Sequence, residues 1–270
     1  MAKGANAAQT LKELWPGQSV ELLKALHILT REGALNADSR RKLKQVQHLV
    51  QLLRPSLDAI FAEKEAPVLA DLGAGKSYLA FILYDLVFGP KGRGEIFAVE
   101  ARSELMEGAR KLAADSQFER MRFIAAPIAE AKVDRPVDMV TALHACDTAT
   151  DDAIKFAIKH DAKHIALVPC CQAELAQMLA GTGNHELHQL WRHPIQRRTF
   201  GSHMTNVIRG LFLEAHGYKV RVTELVGFEH SMKNELILGE RHQLSNAQAR
   251  GELNALLKRL PARPALVAEI

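Results

Sequence analysis

The stretch Val68-Leu69-Ala70-Asp71-Leu72-Gly73-Ala74-Gly75-Lys76-Ser77-Tyr78-Leu79 decides the reading of this 270-residue chain. Val68 to Asp71 is short, apolar and of strand length. It runs into two glycines, and Lys76 to Val87 then carries a helical pattern. Gly73 and Gly75 permit positive φ and let a ligand pass close to the backbone. Three ligand classes use such a turn, and the flanking residues discriminate between them. Gly75-Lys76-Ser77 matches the end of a phosphate-binding loop, but the spacing back to that pattern's first glycine lands on Ala70. Asp71 would also place a carboxylate beside a polyphosphate, a like-charge contact in a site built for anions. A P-loop NTPase is therefore a minor alternative. A dinucleotide turn needs glycine at Tyr78, where tyrosine blocks close packing of helix on strand.

The third ligand is S-adenosylmethionine, which has no phosphate but carries an amine, a carboxylate and a sulfonium. An acidic residue at the end of the first strand suits its positive amino-acid moiety, and Asp71 stands there. A second acidic residue should end the next strand and hold the ribose hydroxyls. Glu100 does so in Ile96-Phe97-Ala98-Val99-Glu100. The cofactor-binding set expected on this reading is Asp71, Gly73, Ala74, Gly75, Glu100 and Ala101. Ile128, in the loop after the third strand, is placed to pack on the adenine, and His144 lies at the end of the fourth. A tight turn with a solvated Glu100 is the bland alternative.

Outward from this loop the chain divides into three parts: a helical region over residues 1–65, a main domain over 66–242, and a helix and tail over 243–270. In the first part Leu22, Leu23, Leu26 and Leu29 recur at helical spacing. So do Leu43, Val46, Val50 and Leu53, in a segment opened by the capping candidate Asp38 and closed by Pro55. A short helix is expected from Ser56 to Ala62. In the main domain, strands at Glu95–Glu100, Met121–Ala125, Val137–Leu143 and His164–Pro169 alternate with helices at Arg102–Ala114, Thr150–His160 and Gln172–Leu179. That alternation implies a parallel sheet covered on both faces, with ligands at the carboxyl ends of the strands. Ser202 to His216 reads as a helix stopped by Gly217. Tyr218–Phe228 and Asn234–Leu238 read as strands whose connection is too short for a parallel crossover, so they should pair antiparallel. Asn246 to Leu260 is a final helix.

Ala142-Leu-His-Ala-Cys-Asp-Thr-Ala-Thr-Asp-Asp152, followed by Val168-Pro-Cys-Cys171, resembles one branch of the class I methyltransferases. That branch includes the eukaryotic acceptor-stem tRNA 2'-O-methyltransferase and the methyltransferase domain of the glutathione S-transferase C-terminal-domain-containing protein. Glu229-His230 before Lys233-Asn234-Glu235 has the look of the same group. The likeness covers roughly Pro67 to Glu240. It implies an α/β fold: a Rossmann-like, seven-stranded, mostly parallel sheet ending in a C-terminal antiparallel hairpin, here with an N-terminal helical layer. It implies S-adenosyl-L-methionine as cofactor, held by Asp71, Gly73, Gly75 and Glu100. Two departures matter. Asp147 stands where the pattern usually has glycine, and no cysteine precedes Cys146, so the zinc-binding elements of the tRNA enzyme are missing.

Methyl transfer to oxygen or nitrogen draws on proximity, desolvation and a base or orienting group. His144, Asp147 and Asp151, at or just beyond the fourth strand, are the candidates, although Asp151 alone is better read as a helix cap. Cys170 and Cys171 admit two readings, as small buried packing residues or as a nucleophile for carbon methylation. The Asn/Asp-Pro-Pro-Tyr/Phe element of exocyclic-nitrogen methyltransferases is absent after Leu143.

The chain is 47% hydrophobic with a formal net charge of +4, enough apolar content for a core and a mild bias toward anionic partners. Charge placement says more. Arg40, Arg41, Lys42 and Lys44 open a run free of acidic residues up to Asp58. Leu187 to Leu213 contains Arg192, Arg197, Arg198 and Arg209, with His188, His193, His203, Trp191 and Phe200 interleaved, and again no acidic residue. Either stretch is a candidate RNA-binding surface able to follow a phosphate backbone and stack a base; a solvated helix face and a substrate lid are the plain alternatives. The expected function is RNA modification of tRNA or rRNA. A protein or small-molecule methyltransferase and a catalytically inactive cofactor-binding module are the alternatives. Three cysteines without Cys-x-x-Cys spacing argue against a disulfide scaffold or a structural metal site and favour a reducing, cytoplasmic setting. No signal peptide or membrane-spanning run is expected.

Overall fold

Ser19 starts helix α1 (Val20–Ala25): its hydroxyl accepts the Leu22 N–H at 3.2 Å, and its own N–H donates to the Asp85 carboxylate at 2.9 Å. The structure, a computed structural model, describes residues 12–143, 145–169, 172–225 and 235–268. Contacts gather the chain into two compact units, one up to Ala126 and one from Pro127. The strands form a seven-stranded sheet of order β3-β2-β1-β4-β5-β7-β6.

In the first unit, α2 runs unbroken from Ala37 to Glu63. The sequence reading expected it to close at Pro55 and restart, but the proline sits inside the helix. Leu49, Val50 and Leu53 before it and Leu57, Ile60 and Phe61 after it are all buried. Burial of a large side chain contributes about 1.5–3 kcal/mol. Six of them outweigh the roughly 3 kcal/mol that proline costs in a helix interior. The N-cap is Asn36, which accepts from Ser39 N at 2.8 Å, and not Asp38. At the other end Arg93 satisfies orphaned carbonyls, donating to Phe61 O at 2.6 Å and Lys64 O at 2.8 Å.

Strands β1 (Val68–Leu72), β2 (Glu95–Glu100) and β3 (Met121–Ala125) pair in parallel. Every residue of β1 is buried, as a strand covered on both faces requires. Helix α3 (Tyr78–Leu83) continues as a π-helical turn over Tyr84–Phe88, where Tyr84 stacks on Phe118 at 4.3 Å. Helix α4 spans Ser103–Asp115.

In the second unit, β4 (Met139–Leu143) and β5 (His164–Val168) are parallel, and β6 (Tyr218–Glu224) and β7 (Glu235–Arg241) form the antiparallel hairpin expected from their short connection. β7 lies between β5 and β6, antiparallel to both. Helices α5 (Thr148–Lys159), α6 (Glu174–Met178), α7 (Pro194–Ala215) and α8 (Ala247–Arg259) complete it. α7 begins eight residues earlier than the sequence reading placed it, because Pro194 presets the helical φ of its first turn. Its Gly201 lets α6 come close: a Cβ there would lie 2.8 Å from both the Cβ and the backbone N of Ala176. No helix among the described residues is long and apolar enough to cross a membrane.

Candidate functional site

The glycine loop begins where β1 ends. Gly73, Gly75 and Ser77 all have positive φ, 66°, 56° and 57°, so the chain curls tightly before α3. Ala74 N donates to Val99 O at 2.9 Å, which ties the curl to β2. Glu100, at the end of β2, is only 7% exposed. Its Oε2 accepts the Gly75 N–H at 2.9 Å, and its Oε1 accepts the Arg102 N–H at 3.1 Å and Arg102 Nε at 2.9 Å. Burial alone would raise this carboxyl. The hydrogen bonds from Arg102 and Gly75, with the Arg102 charge, outweigh it and hold Glu100 below the ordinary carboxylate range.

This arrangement separates the ligand classes. A polyphosphate needs the loop N–H groups, yet the Gly75 N–H is taken by a carboxylate. A nucleotide-binding serine would face the ligand, yet the Ser77 hydroxyl is buried and no described group bonds it, while Lys76 is exposed. A ribose diol is a donor and suits an ionised, loop-anchored carboxylate. Glu100 Oε2 accepts one hydrogen bond and keeps a second lone pair open to a hydroxyl. A Cβ on Gly75 would meet nothing nearer than Arg102 Nη2 at 4.0 Å. The residues present therefore fit an S-adenosyl ligand. Asp71, 2% exposed, sits beside the loop in β1, and Ala101 is exposed after β2. Ile128 is 7% exposed in a 3-10 turn, Ile128–Glu130, that packs on α5 in the second unit.

Of the residues at the acceptor edge, His144, Cys170 and Cys171 lie outside the described residues. Cys146 is exposed and forms no disulfide among the described residues. Asp147 adopts φ 50° and ψ −120°, the first central position of a type II′ turn and a natural glycine site. Its carboxylate Oδ1 accepts the Ala173 N–H at 3.0 Å and the Glu174 N–H at 3.2 Å, so it joins the loop after β4 to the start of α6. Its carbonyl accepts Arg209 Nη2 at 2.8 Å.

Arg209, 1% exposed, is the hub. Its Nε donates to Asp151 Oδ1 at 2.7 Å and its Nη1 to Asn206 Oδ1 at 3.2 Å. Asp151 is not the helix cap; it is the buried partner of this guanidinium. Burial pushes its carboxyl up against the opposing pull of Arg209. Asn206 donates in turn to Glu235 and accepts from Gln172, whose Oε1 accepts the Ser202 hydroxyl at 2.6 Å. Sequence reasoning names Asp147 and Asp151 but assigns Arg209 to a basic, RNA-facing stretch, where the structure instead buries it against Asp151; it does not single out Asn206, Gln172 or Ser202. One signal was present: Asn206 and Arg209 are three apart, on the face of α7 that carries Ile208, Phe212 and Leu213 into the core.

The two basic stretches differ. Arg40 pairs with Glu13 at 2.8 Å, and Lys42 and Arg41 pair with Asp38 at 2.9 and 3.7 Å. Only Lys44 of that group makes no ion pair among the described residues. Arg192, Arg197 and Arg198 have no carboxylate partner among the described residues. Trp191 does not offer a stacking surface: it is fully buried and donates through Nε1 to Thr182 Oγ1 at 2.9 Å. Among the described residues no group of three His, Cys, Asp or Glu side chains is placed to hold a metal.

A family model described as a methyltransferase domain matches residues 41–178, over half of the chain. No curated protein matches the sequence. Similar solved structures include an rRNA methylase from Streptococcus thermophilus, 10% identical over 72% of this chain and 96% of that one, with a TM-score of 0.47. Magnesium protoporphyrin IX methyltransferase from Synechocystis is 12% identical over 82% and 93%, with a TM-score of 0.46. TrmK of M. capricolum, in complex with S-adenosyl-homocysteine, is 13% identical over 75% and 73%, with a TM-score of 0.43.

Proposed function

From the premise that the chain belongs to this methyltransferase-domain family and is an S-adenosylmethionine-dependent methyltransferase, we propose that its acceptor is a structured RNA, tRNA or rRNA. The observation that carries the RNA reading is the set of three arginines, Arg192, Arg197 and Arg198, without acidic partners in a stretch with no acidic residue, 187–213. Such uncompensated charge suits a phosphate backbone. The resemblance of residues 142–152 and 168–171 to the tRNA 2'-O-methyltransferase branch supports the same reading.

On this reading Asp71, Gly73, Ala74, Gly75, Glu100, Ala101 and Ile128 hold the cofactor. Glu100 accepts from the ribose and the glycines admit the ligand beside the backbone. The cofactor supplies a methyl group on a sulfonium. That methyl carbon would be open to the acceptor's lone pair, with the electrons of the carbon–sulfur bond passing to sulfur. The acceptor proton goes to a base on the loop after β4, and His144 is our candidate. Asp147 and Asp151 are committed to interior partners and serve to position that loop.

The test is transfer from radiolabelled cofactor to fractionated cell extract from a strain lacking the protein. Label in RNA is expected. Label confined to protein or small molecules overturns the RNA acceptor, and no S-adenosylhomocysteine binding by calorimetry overturns the cofactor assignment.

A further inference from the structure

Beside the loop that follows β5, α6 and the start of α7 wall an open cleft of about 590 Å³. Its described lining is small and apolar at Ala173, Ala176, Ala180 and Pro194, and it carries Arg197 and Arg198. The helices touch at Gly201, and Gln172 is buried with its amide fixed by Ser202 and Asn206. The cleft is thus a built feature of the fold. Neighbouring carboxylates do not answer its charge: Glu174 accepts the Ala265 N–H at 2.8 Å, and Glu235 accepts from Asn206.

An apolar strip beside two uncompensated guanidinium forks matches the chemistry of a nucleotide. A base packs on flat apolar surface or on a guanidinium plane, and a phosphate pairs with the fork. The volume falls within the range of sites for molecules of that size. Ala173 lines the cleft and also donates to Asp147, so the cleft is anchored directly to the loop after β4. We propose that it takes one unstacked nucleotide of the RNA acceptor, the base against Ala173, Ala176 and Pro194 and the adjoining phosphates on Arg197 and Arg198. The proposal rests on the RNA reading above and deepens it.

The test uses the full chain and a fluorescent ten-nucleotide oligouridylate carrying one 4-thiouridine, at several salt concentrations. Three proteins are compared: wild type, an Arg197→Gln/Arg198→Gln double variant, and an Arg41→Gln/Lys44→Gln variant that loses the same charge on α2. We expect salt-sensitive binding by wild type and photocrosslinks within residues 172–180 and 194–202. The cleft variant should lose at least about tenfold in affinity. Its salt slope should fall by about 0.7 for each lost phosphate contact. Its S-adenosylhomocysteine affinity and melting temperature should stay unchanged, which excludes misfolding. Undiminished binding by the cleft variant, an equal loss in the α2 variant, or crosslinks elsewhere would overturn the cleft and leave an RNA acceptor standing. No binding of the oligonucleotide by wild type even at low salt would overturn the cleft, and failure to bind total tRNA and rRNA as well would overturn both.

Discussion

Asp147 holds a backbone geometry that costs an L side chain of order 1–3 kcal/mol. The related pattern has glycine there, which pays nothing. This chain offsets the strain with a carboxylate that accepts two backbone N–H groups, each such charged bond contributing about 1.5–3 kcal/mol. Asp147→Gly should therefore cost about 1–3 kcal/mol less denaturant stability than Asp147→Ala, since the strain leaves with the bonds. Asp147→Ala keeps the strain, loses both bonds and should destabilise by about 3–6 kcal/mol. Arg209→Met strands a buried carboxylate, and a loss of about 3–5 kcal/mol is expected in the same assay. Glu100 yields a pH prediction. Its folded-state value is depressed, so its contribution is complete above the ordinary carboxylate pKa and is lost as pH falls through the lower folded value. S-adenosylhomocysteine affinity should stay flat on acidification to about pH 4.3, the unperturbed value. In Arg102→Ala, whose Glu100 has lost its main stabilising partner, the decline should begin at higher pH. A decline at the same pH in both proteins would rule out Arg102 as the cause.

At the scale of elements, β7 has little room. Gly239 pairs with Ile165 of β5 and Val220 of β6, and a Cβ there would lie 2.7 Å from Ile165 Cγ2 and 3.1 Å from Tyr218 Cδ1. Gly239→Ala should cost about 1–3 kcal/mol by overpacking. Ile165→Val should relieve part of that cost in the double variant, a coupling that a denaturation cycle measures. The Tyr218 hydroxyl, buried and pushed up to about 12, donates to Ala162 O at 2.8 Å and so pins β6 to the turn before β5. The elements also show what patterning conveys. Strand–helix alternation placed β1 through β5 within a few residues because each strand is apolar and bounded by turns. The end of α2 was misplaced because a proline rule is local, whereas the six buried side chains that hold the helix together depend on tertiary packing. The start of α7 was late because His193-Pro194 reads as a loop until the proline is recognised as a first-turn residue.

For the whole molecule, the glycine turn and the acidic strand end beside it were legible, and the network around Arg209 was not. Asp71, the glycines and Glu100 are adjacent to their elements in sequence, so chemistry and spacing suffice. Arg209 meets Asp151 from 58 residues away, a contact only the folded chain creates. Net charge of +4 was equally blunt, since the structure neutralises most of one basic stretch and leaves the other open. Binding of S-adenosylhomocysteine should raise the melting temperature, with about 2.7 kcal/mol of added stability at one hundred times its dissociation constant, and Glu100→Ala should abolish the shift. The strand order has a consequence for how the protein is made. β7 is translated last but belongs inside the sheet, between β5 and β6. On the ribosome β5 keeps a bare hydrogen-bonding edge until the final strand emerges, and β6 waits without a neighbour to pair with. The 11 residues from Glu224 to Glu235 take about one second to synthesise at ~10 residues per second. A nascent chain arrested just before Glu235 should recruit chaperones and aggregate on release, whereas one arrested well beyond Arg241 should not.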